Sequence, residues 1–237
     1  MSAVDYKEIS WLGLWKNNPA LVQLLGLCPL LAMSGSVVNS IGMGIATTFV
    51  LVTSNIAVSM VRNVVSDAVR LPAFVIIIAA SVTAIQILMQ AYTYSLYEIL
   101  GVFLPLITTN CVILGRADSF ASKNALLPSA FDGFMMGLGF SLVMCLLGFL
   151  RELFGTGIVF QDMNLLFGDI ANNWEVTMFK DYPQFLYIIL PPGAFIFTGF
   201  IIALKNMIDD HFAQKALLAK ASEPKEDRRV RVTGKIN

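Results

Sequence analysis

Formal charge is absent from residues 17–61, a run of 45 positions between Lys16 and Arg62. A stretch that long without charge cannot form the surface of a soluble domain. It also exceeds the roughly 20 apolar residues that one bilayer-crossing helix needs, so it has room for two spans and a tight turn. Four further charge-free runs, 71–97, 99–115, 133–150 and 182–204, each have room for one. Six spans are therefore expected, near 20–36, 39–61, 71–92, 96–115, 131–150 and 184–206. The backbone must satisfy its own hydrogen bonds in lipid, which makes these helices rather than strands. Composition agrees, with 57% hydrophobic and 14% charged residues against about a quarter charged in soluble domains. The expected class is an all-α integral membrane protein, with one six-helix domain over 1–208 and a polar tail over 209–237.

The basic residues orient it. Six spans place both termini on the side of the 62–70 and 116–130 connections. That side carries Lys7, Lys16, Arg62, Arg70, Arg116, Lys123 and every Lys and Arg from 205 onward, whereas the other side carries only Arg151 and Lys180. Basic residues concentrate in cytoplasmic loops, so both termini are expected in the cytoplasm and the 151–183 connection outside. The first residues, with Asp5, Lys7 and Glu8, lack the pattern of a cleavable signal peptide. Ile9, Trp11, Leu12, Leu14 and Trp15 read as an interfacial anchor helix. A net charge of zero offers no basic field for nucleic acid.

The two halves echo each other. Cys28, Gly42-Met43-Gly44 and Leu71-Pro72-Ala73-Phe74 recur in order as Cys111, Gly137-Leu138-Gly139 and Leu190-Pro191-Pro192-Gly193-Ala194-Phe195. Repeat one covers about 18–92 and repeat two about 96–208. A three-span unit is odd, so two in tandem run in opposite directions and form an inverted repeat. Such folds place their sites where broken helices meet near the bilayer midplane. Both cysteine helices contain breakers, Gly26 and Pro29 around Cys28 and Pro105 ahead of Cys111. Five residues separate Cys111 from Arg116, so either that helix breaks or Arg116 lies inside the fold.

Three cysteines at wide spacing make no disulfide framework, and one histidine excludes a His-rich metal site and a Ser/His/Asp set. Cys145 reads as a small apolar packer. Cys28 and Cys111 differ because they hold matching repeat positions. Two thiols at one place can be a disulfide, a redox pair or half of a metal site. A tetrahedral thiolate site needs four sulfurs, so a metal would require a partner chain.

The residues around these cysteines carry a family resemblance. The run Leu14 to Ala32, with Asn17-Asn18-Pro19 and Cys28-Pro29-Leu30-Leu31 inside it, resembles the E subunits of Rnf-type (Rsx) electron transport complexes. So do Thr109-Asn110-Cys111-Val112-Ile113-Leu114-Gly115-Arg116-Ala117, Asp132-Gly133 and Leu190-Pro191-Pro192-Gly193-Ala194-Phe195, and the likeness covers about 9–210. The D subunits of sodium-translocating NADH:quinone reductases share some of these elements. The resemblance implies that Cys28 and Cys111 ligate the iron of an intramembrane [2Fe–2S] cluster, with the homologous A subunit supplying the other two thiolates. It implies a complex that moves electrons between ferredoxin and NAD, coupled to sodium or proton translocation across a bacterial inner membrane. Flavins and the NAD site would belong to other subunits. The residues allow two other function classes, a secondary transporter or channel and a membrane subunit with a purely structural role.

Charged and polar residues near the spans have simpler expectations. Asn110 serves an interhelical hydrogen bond or donates to a cluster sulfur. Glu98 lies at the outer surface, Asp118 and Asp132 are solvated or capping, and Arg151 pairs locally with Glu152. The methionines are apolar filling, and no strands are expected.

Overall fold

A computed structural model of the chain describes residues 6–66, 69–161, 163–167, 176–177 and 185–222. Eleven α-helices appear among them: α1 Tyr6–Trp11, α2 Leu27–Met33, α3 Val37–Val61, α4 Arg70–Tyr92, α5 Tyr94–Leu100, α6 Pro105–Thr108, α7 Cys111–Arg116, α8 Leu126–Thr156, α9 Asn164–Phe167, α10 Leu186–Ile189 and α11 Pro191–Ser222. Single π-helical turns, Leu12–Lys16 and Ala117–Ala121, extend α1 and α7. Two-residue strands, Ile158–Val159 and Val176–Thr177, pair antiparallel in the 151–183 connection, where no strand was expected. Residues 162, 168–175 and 178–184 of that region, and the tail beyond 222, lie outside the described residues.

Four helices are long and apolar enough to cross a bilayer: α3, α4, α8 and Pro191–Lys215 within α11. A fifth candidate is the pair Tyr94–Leu100 and Pro105–Ala121, bent by 64°. The expected span at 20–36 is not a continuous helix, because only Leu27–Met33 is helical there. Leu24 (φ 53°) and Gly26 (φ 70°) adopt left-handed backbone just ahead of it, which ends any run of right-handed helix. The first part of the expected polar tail, 209–222, continues α11 as helix to Ser222.

Local chemistry sets the helix ends. Ser36 caps α3, its hydroxyl accepting the Asn39 N–H at 3.3 Å. Gly157, at φ 72°, closes α8. Pro105 and Pro191 occupy first helical positions, where a missing N–H costs nothing.

The centre of the molecule is α3 packed antiparallel on α8. Contacts step in opposite directions along the two helices. Gly148 meets Ser36 and Ser40, Gly44 meets Ser141, Gly137 meets Thr48, and Gly133 meets Leu51 and Asn55. Small residues let the backbones approach, and hydroxyls bond across the seam, with Thr48 Oγ1 and Ser141 Oγ 3.0 Å apart. The remaining Gly-x-Gly positions face elsewhere. Gly42 receives Leu96 and Leu100 of α5, while Gly139 receives Gly13 and Asn18.

The N-terminal segment runs beside α8 in the same direction. Tyr6 packs edge-on against Phe131, with ring centroids 5.3 Å apart. Asn18 Nδ2 donates to Gly139 O at 3.0 Å. Gly26 abuts Phe140, and Arg151 donates to Leu31 O at 3.3 Å. The expected anchor helix is thus packed on α8 through Gly13, with the Trp11 ring left exposed.

Candidate cysteine site

Each cysteine sits at the start of a short helix. Cys28 is the second residue of α2, and Cys111 is the first residue of α7. Neither position arises by helix propensity alone. Ahead of α2, the buried Asn18 Oδ1 accepts the N–H groups of Ala20 and Leu21 at 3.0 and 3.2 Å, turning the chain before it can continue as helix. Pro29 follows within the first turn of α2, where its missing donor is tolerated. Ahead of α7, Asn110 is the cap, its Oδ1 accepting the Val112 N–H at 3.0 Å.

The two breaks meet. A Cβ on Gly26 would lie 2.8 Å from Asn110 Oδ1 and 2.9 Å from Val112 Cγ2. Glycine at this position therefore supplies both the left-handed turn and the space that lets the Cys28 segment touch the residues flanking Cys111. The meeting point lies beside Phe140, fourteen residues beyond Leu126 in α8, about 21 Å along that helix at 1.5 Å per residue. The Cys111 end of α7 thus lies beside the middle of α8 rather than near one of its ends. Both thiols are free and exposed at the surface of the chain, while Cys145 is partly buried in α8.

Of the two alternatives for Arg116 the second holds. The helix is unbroken from Cys111 to Arg116, and the Arg116 side chain lies largely inside the fold, donating from Nε to Asp132 Oδ2 at 2.9 Å and from Nη2 to Oδ1. Asp132 is buried, only 1% exposed, and is neither solvated nor a cap. Asp118 stays at the surface, 3.9 Å from Arg70. Glu98 is exposed.

Arg151 and Glu152 depart from the expected local pair. Both are buried, 1% and 2% exposed. Arg151 donates to Ser34 Oγ at 2.6 Å, to Leu31 O at 3.3 Å and to the carbonyls of Ile188, Ile189 and Leu190. Glu152 accepts the N–H groups of Val37 and Gln161, each at 2.7 Å. Together they hold the turn between α2 and α3 from the far end of α8. Charge alone in the sequence could not reveal this role; the nearest signal was two adjacent ionisable residues at the edge of an apolar run. Asn18 was also missed as a positioning residue.

Among the described residues no three His, Cys, Asp or Glu side chains are placed to hold a metal ion. Cys28 and Cys111 are at most half of a four-ligand set. Their exposure and their places at the starts of two short helices fit a group completed from outside the chain. One further feature fits such a group: Asn110 Nδ2 is buried with no hydrogen-bond partner among the described residues.

A family profile described as Rnf-Nqr subunit, membrane protein, matches residues 6–202. The chain belongs to the Rnf-Nqr family. Full-length relatives in the family include the E subunit of the ion-translocating oxidoreductase complex of Cellvibrio japonicus, 60% identical with all of both chains covered, and that of Pseudomonas aeruginosa strain UCBPP-PA14, 59% identical with the same coverage. The corresponding E subunit from Shewanella loihica is 56% identical over 92% of this chain and 94% of its own.

Proposed function

We propose that this chain is the electron-carrying membrane subunit of an Rnf-type ion-translocating oxidoreductase complex, holding half of an intramembrane [2Fe–2S] site. Cys28 and Cys111 would supply two of the four thiolates, and a homologous partner, the A subunit of the complex, the other two. The complex would pass electrons between ferredoxin and NAD, coupled to sodium or proton translocation, with its flavins and NAD site on other subunits. When bound, a [2Fe–2S] cluster supplies a one-electron carrier.

One observation carries this reading. Two cysteines far apart in the chain open two short helices whose leading residues touch, and both thiols face out of the chain. Each residue around them has a definable task. Gly26 permits the approach, Asn18 and Asn110 form the breaks, and the positive ends of the two short helices favour thiolate over thiol. The flanking apolar residues Leu30, Val112, Ile113 and Phe140 are buried and exclude water from the inner side. Membership of the family, and relatives that are E subunits of ion-translocating oxidoreductase complexes, support the same reading.

The arrangement in the membrane that suits this role has six passages in two inverted units. The first passage would be the broken segment Tyr6–Met33, and the fourth the bent segment from Tyr94 to Ala121. Antiparallel packing of α3 on α8 supports it, as does the parallel course of the N-terminal segment beside α8. The two units then match element for element, with Gly42 facing α5 as Gly139 faces the residues after α1. Both termini would lie in the cytoplasm of a bacterium, with the chain in its inner membrane.

Replacing Cys28 or Cys111 by Ser in the purified complex tests the assignment. Each change is expected to remove one cluster's worth of iron, its electron paramagnetic resonance signal and electron transfer through the complex. Full iron and full turnover in both variants would reject it.

A further inference from the structure

Asn110 holds a donor that the chain does not use. Its Oδ1 accepts the Val112 backbone N–H, a group that can only donate, so the side-chain NH2 is fixed on the other side of the amide. That Nδ2 is buried, in a residue 2% exposed, and has no partner. An unpaired buried donor is costly. As a cap alone, asparagine is therefore a poor choice. Serine would give an oxygen to Val112 with a hydroxyl free to turn toward a partner, and aspartate an oxygen with no N–H at all. The other buried orphans among the described residues, Asn55 Oδ1, Ser129 Oγ and Thr198 Oγ1, are oxygens. Asn110 Nδ2 is the one nitrogen, and it lies on the residue bonded to Cys111; the atom of that residue nearest Gly26 is its Oδ1.

We propose that the Asn110 side-chain NH2 donates a hydrogen bond to a sulfur of the group held by Cys28 and Cys111, and that this bond sets the group's reduction potential. The inference rests on the cluster reading above. A sulfur of an iron–sulfur group is an electron-rich acceptor, and one-electron reduction makes it more negative. The bond is then stronger in the reduced form and raises the potential, as hydrogen bonds to such sulfurs do. Asn110 is thus a tuning residue, and its cap bond to Val112 is what aims the donor.

Asn110→Ser keeps an oxygen for Val112 and removes the amide donor. In the purified complex it is expected to retain iron and the cluster's paramagnetic signal while the midpoint potential shifts downward. Asn110→Ala, which loses the cap as well, is expected to show the same shift with lower thermal stability. A wild-type potential in Asn110→Ser with an intact signal overturns the proposal and assigns the donor to a neighbouring chain. A second measurement needs no variant. After exchange into deuterated water, the wild-type cluster is expected to show a coupled exchangeable deuteron by electron–nuclear double resonance, and its absence overturns the proposal. Failure of the underlying cluster reading is separate, because Cys28→Ser would then keep both the iron and the signal.

Discussion

At the scale of single residues, Gly26 decides whether the two cysteine segments can meet. Its φ of 70° suits glycine, and any side chain there would press on Asn110, Val112 and Phe140. Gly26→Ala faces both problems at once. Left-handed backbone in a non-glycine residue costs about 1–3 kcal/mol, and the contacts below 3 Å force the segments apart. The expected outcome is a complex with lower melting temperature and less cluster iron, measured by scanning calorimetry and metal analysis. Wild-type iron in Gly26→Ala would show that the approach of the segments is not needed. The Arg116–Asp132 pair is a second residue-scale feature. Charge on an isolated helix in lipid is costly, and here the two charges neutralise each other inside the fold.

At the scale of elements, the short helices are braced from a distance. A seven-residue helix such as α2 is marginal on its own. Arg151 supplies what it lacks, binding Leu31 O and Ser34 Oγ at its end, where carbonyls are otherwise unpaired. The same guanidinium takes the carbonyls around Leu190, where the chain turns from α10 into α11. Arg151→Gln cannot span these partners. Hydrogen bonds from charged donors contribute about 1.5–3 kcal/mol each, so several kcal/mol of destabilisation is expected, or roughly 2–4 °C of melting temperature per kcal/mol for a chain this size. Cys28 should also react faster with a maleimide in the variant, since α2 loses its anchor. An unchanged alkylation rate beside a lowered melting point would separate stability from positioning.

At the scale of the whole molecule, the antiparallel α3–α8 seam makes a prediction about sidedness. With six passages, cysteines introduced as Lys7→Cys and Lys215→Cys should react with an impermeant maleimide only from the cytoplasmic face. Gln161→Cys should react only from the opposite face. Inside-out and right-side-out vesicles give the two readings, and reaction of Lys7→Cys and Lys215→Cys from different faces would reject the even number of passages. The buried charges also bear on the transporter alternative. Asp132, Arg151 and Glu152 are each bound within the chain, Asp132 by a guanidinium, Arg151 by carbonyls and a hydroxyl, and Glu152 by backbone N–H groups.

Membrane residence and the segments around Cys28 and Cys111 were legible in the residues alone, because hydropathy and charge act position by position and survive without knowledge of neighbours. The breaks at Gly26 and Pro105 were legible for the same reason, since both restrict their own backbone. What the tertiary structure alone decided is where those restrictions lead. It made the 20–36 passage a short helix after an irregular stretch rather than one continuous helix, extended α11 to Ser222, and drew Asp132, Arg151 and Glu152 inside. The physical reason is that an unpaired backbone group or a charge is costly in apolar surroundings unless another part of the chain satisfies it. Whether such a partner arrives depends on packing across long separations, as between Arg151 and Leu31.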